Sequence, residues 1–185
     1  MNQSKRAPKT LRAYFGHKAL IVAIVLVIGL IAMLMSMKIS NCSVLVGDAM
    51  SARADYLLTG SQESEEALDR FFTQEYIQSG ALKEDRAKYE NYNISNYIDL
   101  PSVEWIWVWP WSSNASVRVH DKVVSISGSP IEDELTDENG NPVSVAPVPP
   151  AWPTGDYAVR VKNVGGRWLI DEIVLLELDK KAAEK

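Results

Sequence analysis

The side chains with most capacity for chemistry are 24 Asp and Glu, seven Tyr, two His and a single Cys, and their spacing assembles no recognisable reaction centre. A nucleophile needs an adjacent base. The chain has no Gly-x-Ser-x-Gly elbow, and Cys42 has no histidine placed to meet it. His120, the histidine outside the N-terminal tail, could act as a general base, but between Arg118 and Asp121 it reads as a surface turn residue. The acidic cluster Glu132, Asp133, Glu134, Asp137 and Glu138 invites Ca²⁺. A Ca²⁺ loop starting at Asp137 would need Gly at its sixth position, where Pro142 stands, so a solvated hairpin is expected. The expectation is a protein that is not an enzyme and carries no cofactor and no metal.

Binding capacity is concentrated elsewhere. Trp105, Trp107, Trp109 and Trp111 alternate with Glu104, Ile106, Val108 and Pro110, which puts four indoles on one face of one strand. The indoles can be core beneath a helix, a protein interface, or a headgroup-level belt beside a membrane span. The opposite face, Ile106 and Val108, is apolar too and is the second interface candidate.

The element that must position all of this is the uncharged apolar run 19–37, bounded by Lys18 and Lys38. At about 1.5 Å per residue it reaches roughly 28 Å as a helix, close to the ~30 Å hydrocarbon core of a bilayer. Residues 1–18 carry Lys5, Arg6, Lys9, Arg12 and Lys18 and no acid, so this tail is expected in the cytoplasm and the rest outside. Beyond the span and Lys38, 13 Lys and Arg face 24 carboxylates, a net charge of −11 that disfavours nucleic acid and anionic membrane surfaces as partners. A cleaved signal is disfavoured by the length of the run. Residues 39–42 faintly resemble a lipobox, which makes Cys42 a possible lipidation site, although Lys38 and Asn41 depart from that pattern. One cysteine excludes an intrachain disulfide. Asn-x-Ser triplets at Asn41, Asn93 and Asn114 would matter only on a eukaryotic secretory route.

After a juxtamembrane linker at 38–43, residues 44–178 read as one domain, followed by a charged tail at 179–185. A helix is expected over 44–58. A second, loaded with Glu63, Glu65 and Glu66 in its first turn, places Leu68, Phe71, Phe72 and Tyr76 inward and stops at Gly80. A weaker third runs from Ala81 towards Glu90, and 89–100 has no clean period and reads as irregular. From Pro101 the period is two: the tryptophan strand, a strand over 115–126 that switches register near Lys122, an Asn139-Gly140 hairpin, a strand from Tyr157, and a last strand over 167–178. Helices first and an antiparallel sheet after is the α+β pattern.

The ending GDYAVRVKNVGGRWLIDEIVLLE, with Gly166, Trp168 and Ile170 in a Gly-x-Trp-x-Ile form, resembles the closing hairpin of the cone-shaped superfamily named for nuclear transport factor two. That resemblance implies a helical layer on a curved, cone-like sheet, and spans 44–178 by element order. With the single span it is similar to scaffold subunits of type IV secretion and conjugation machines and to membrane proteins associated with lipid-uptake (Mce) systems. It implies a bitopic cell-membrane scaffold whose outer domain binds protein partners or further copies of itself. The alternative is a small-molecule or lipid-binding cone, since isomerases of the fold hold an acid or histidine base beside a tyrosine.

Overall fold

The computed structural model describes residues 9–131, 134–136 and 142–179, with side chains described over 18–131 and 145–179. Lys5 and Arg6 of the basic tail, the Asn139-Gly140 turn, the side chains of the acidic cluster and the tail beyond Asp179 lie outside the described residues.

The first helix, α1, runs unbroken over Lys9–Thr59. Within 19–37 no side chain is buried against the rest of the protein, and the stretch is long and apolar enough to cross a bilayer. From Cys42 the same helix turns a stripe inward: Cys42, Val46, Ala49, Met50, Ala54, Leu57 and Leu58 are buried at helical spacing. Residues 38–43 are therefore helical and form no separate linker. The reason is local: no Gly or Pro interrupts them, and the core stripe starts inside them. Gly60, at φ 58°, ends the helix in a conformation that a side chain would disfavour.

The second helix, α2 (Gln62–Phe71), is capped by Ser61, whose side chain accepts from the Ser64 backbone N–H at 3.1 Å, and carries Glu63 and Glu65 in its first turn. It stops earlier than expected. Phe72 is extended and bridges to Ile170 of the last strand, and Thr73 then caps a short α3 (Gln74–Ile77). The detour stacks Phe72 on Tyr76 with centroids 4.8 Å apart, a contact between the strand-like Phe72 and the next helix. Gly80 opens α4 (Gly80–Ala87) rather than closing α2.

Among the described residues eight strands follow: β1 (Tyr92–Asp99), β2 (Ser102–Trp107), β3 (Asn114–Asp121), β4 (Val123–Pro130), β5 (Glu134–Thr136), β6 (Pro142–Ser144), β7 (Gly155–Val164) and β8 (Arg167–Leu178). Region 92–99 is a strand after all. It pairs antiparallel with β4 through a register broken between Ile94 and Asn96 and again between Ile98 and Asp99, which erases the alternation a sequence pattern needs. The switch at Lys122 separates β3 from β4, and the Leu100 N–H donates to the Lys122 carbonyl at 2.9 Å. β1–β2 and β3–β4 thus make one long bent hairpin whose tip is the stretch 108–113. The main sheet has the order β2-β3-β7-β8, all antiparallel, and β7–β8 turn through Gly165 and Gly166 at φ 59° and 88°. Val117, Val119, Val159, Val161 and Ile170 bury one face of that sheet against the helices, giving an α+β domain.

Candidate functional site

β2 is an edge strand, and its alternation decides which side of the tryptophan stretch meets solvent. Val108 is 1 % exposed and Ile106 packs against the same core, whereas Trp105, Trp107, Trp109 and Trp111 are 54, 49, 43 and 72 % exposed. The indoles are not core, and the Ile106 and Val108 face belongs to the protein's own interior and presents no free surface. Only Trp105 and Trp107 lie on the strand. β2 ends at Trp107, and the Ser112 N–H closes a turn onto the Trp109 carbonyl at 3.0 Å.

The rings still form one row. Trp105 and Trp107 stack at 5.8 Å and 13°, Trp107 and Trp109 meet edge to face at 5.6 Å and 83°, and Trp109 and Trp111 stack at 5.3 Å and 19°. Each such contact is worth about 0.5–1.5 kcal/mol beyond area burial, so the row is held in place before anything binds it. Beside it runs an open groove of about 600 Å³ bounded by Trp107 and Trp109 and by Ser116, Arg160, Lys162 and Asp171. Arg160 is paired with Glu172 at 2.9 Å.

At the far end of β3 the polar groups neutralise one another. Arg118 reaches Glu104 at 3.5 Å and Asp156 at 3.0 Å, and His120 Nδ1 meets Asp156 at 2.8 Å. His120 therefore stands in a strand, not in a turn. The hydrogen bond from His120, aided by the charge of Arg118, holds the Asp156 carboxyl below its usual range. Glu104, His120 and Asp156 are close enough to share a metal ion, but the Arg118 guanidinium already supplies the cation to both carboxylates.

A second constellation, not visible in the sequence pattern, is buried. Arg53 of α1 donates from Nη2 to Asp85 of α4 at 2.7 Å and from Nε to the Tyr76 hydroxyl at 3.1 Å, lies 3.7 Å from Asp121 of β3, and sits 5.8 Å from the Trp152 ring. Trp152 Nε1 donates to Asp121 at 3.1 Å. Arg53, Tyr76, Asp85 and Tyr157 line a cavity of about 220 Å³, below the ~300–1,000 Å³ usual for ligand sites. Most of its polar groups are engaged, Asp85 also with Lys88 at 2.7 Å and the Tyr157 hydroxyl with the Pro153 carbonyl at 2.7 Å, while Arg53 Nη1 has no hydrogen-bond partner. Burial pushes the Asp121 carboxyl up to about 6, against the pull of Arg53 and the Trp152 N–H. Because the folded-state value is raised, the contribution of Asp121 to stability is fully present below about pH 3.8 and is lost as pH rises through about 6. Between pH 7.5 and 4.5 the wild type is expected to gain about 2 kcal/mol over Asp121→Asn in paired urea titrations; equal pH slopes would contradict the assignment.

Cys42 is buried in the core stripe, so a lipid on its sulfur would displace packing between α1 and the domain. Comparison with protein-family models finds no match, and neither the curated proteins nor the solved structures provide one.

Proposed function

We propose that the protein is a single-span scaffold of the cell envelope, N-terminus in the cytoplasm, whose cone-like outer domain docks protein partners or further copies of itself without catalysis. The observation that carries this reading is the row of four exposed, mutually stacked indoles on an edge strand. Trp is enriched where partners bury surface, and a row in which most rings keep about half or more of their area in water offers that area to a partner. The continuous helix supports it, because a domain fused rigidly to its span presents that row at a fixed height and orientation. The groove chemistry suits a partner segment with apolar side chains against Trp107 and a carboxylate near Lys162, Arg160 being paired with Glu172. The resemblance to secretion and conjugation scaffolds points the same way.

The Arg53 cavity favours the second reading, a small-molecule or lipid-binding cone, since it sets a carboxylate beside two tyrosines. Its size and its internally paired groups favour the scaffold. Two measurements on the full chain test the proposal. A cysteine at the exposed Ser95 should react with a membrane-impermeant maleimide in intact cells, and labelling only after permeabilisation would contradict an outer domain. Tryptophan emission of the purified chain in detergent should shift to the red on serial dilution if copies associate through the row; red emission at every concentration would leave heterologous partners as its occupant.

A further inference from the structure

The turn that follows the tryptophan row meets the helix where the apolar run stops. Lys38, the residue that closes that run, donates from Nζ to the Ser112 carbonyl at 2.9 Å and lies 5.3 Å from the centroid of the Trp168 ring. The turn after β2 and the start of β8 are thus within one lysine side chain of the end of the span. The Asn163 N–H ties the two together by donating to the Ser113 carbonyl at 2.7 Å. Trp109 and Trp111 project from this turn into solvent.

Charge is partitioned around the same point. The segments around Lys38, residues 38–47, 105–117 and 157–170, contain no Asp or Glu and hold Lys38, Arg160, Lys162 and Arg167, with Glu172 paired to Arg160 and Asp171 in the adjoining groove as the nearby carboxylates. The whole excess of acid in the distal domain lies in other segments. An acidic domain would be repelled by an anionic leaflet, so removing every carboxylate from these segments suits close approach to headgroups.

We infer that the tip of the β1–β4 hairpin, carrying Trp109 and Trp111 and braced by Lys38 and Trp168, is a foot that beds in the phospholipid headgroup layer beside the span. Indoles favour that layer because one side of the ring system is apolar and the N–H is polar. The inference depends on the run 19–37 being a membrane span, as proposed above. It divides the row between two occupants. Successive ring centroids from Trp105 to Trp111 lie 5.8, 5.6 and 5.3 Å apart, whereas one headgroup layer is about 5–8 Å thick. Trp105 and Trp107 therefore stand clear of the lipid, free for protein, and Trp109 and Trp111 do not.

The test uses the full chain reconstituted into phosphatidylcholine vesicles with bromine near the top of the acyl chains. Flotation in a density gradient reports the span, and bromine quenching of tryptophan emission reports the foot. Floated wild type is expected to be quenched, W109F/W111F to lose at least half of that quenching, and W105F/W107F to retain it; phenylalanine at these exposed sites preserves the fold. Floated protein whose emission ignores the bromine, or whose quenching survives W109F/W111F and disappears in W105F/W107F, would overturn the foot alone. Protein left at the bottom of the gradient would overturn the span and the foot together.

Discussion

Arg53→Leu is expected to cost the domain about 3–5 kcal/mol, a large share of the ~5–15 kcal/mol that holds a typical domain folded. The guanidinium is 5 % exposed and connects four parts of the chain: Tyr76 in α3, Asp85 in α4, Asp121 in β3 and the Trp152 ring. Removing it leaves the Asp121 carboxylate buried beside an apolar side chain, and one Asp121 oxygen already lacks a hydrogen-bond partner. The penalty is that of an orphaned charge more than the value of the lost pair. Arg53→Met with Asp121→Leu should therefore recover most of the loss, because the charge and its counter-charge leave together. Arg53→Lys should not, since an ammonium cannot address Tyr76, Asp85 and Asp121 from three nitrogens. Thermal and urea unfolding of the full chain in detergent, followed by far-UV circular dichroism, reads all three. A loss below about 1 kcal/mol for Arg53→Leu would mean that the cluster is not a keystone of the fold.

The second large effect concerns binding. Trp107→Asp is expected to weaken partner binding by about 2–4 kcal/mol, roughly 30-fold to 1,000-fold, while the two ring contacts it breaks lower stability by about 1–3 kcal/mol. Trp107 is the hub of the row, with rings on both sides at 5.8 and 5.6 Å, and it also walls the groove that holds Arg160 and Lys162. A carboxylate there breaks two ring contacts and puts an unpaired charge into any apolar interface. Stability suffers less than binding because half of the ring is already in water, and the inward side of β2 is carried by Ile106 and Val108. Serial dilution of the full chain in detergent, which reads self-association through the row, alongside unfolding of the same variant, separates the two quantities. Equal losses in both would assign the row to folding.

The parts of this fold legible in the sequence are those specified by neighbours. The apolar run, the glutamate-loaded first turn of α2 and the switch near Lys122 each depend on a few adjacent residues and stand where their chemistry puts them. Other features are set by contacts across the chain. Phe72 leaves the helix its spacing predicts because Ile170 offers a bridge, and β1 hides its alternation in two register shifts against β4. On α1, Arg53 reads as one polar residue among alanines. Its partners lie 32 residues away at Asp85 and far beyond at Asp121, and no spacing rule connects them. The tryptophan stretch shows the limit most plainly: period two says that the rings share a face, but with Ile106 and Val108 equally apolar only the packed domain says which face is wet.

On the proposed reading, the upper part of this row works by touching protein outside the membrane. Replacing Trp107 with a photoreactive phenylalanine analogue in intact cells, beside a control at the exposed Val124 on β4, tests it most directly. Irradiation is predicted to join the chain at position 107, and not at 124, to a discrete polypeptide or to a second copy of itself, with the adduct lost when Trp105→Asp is added. Lipid adducts alone at position 107, or the same protein adducts from both positions, would contradict it.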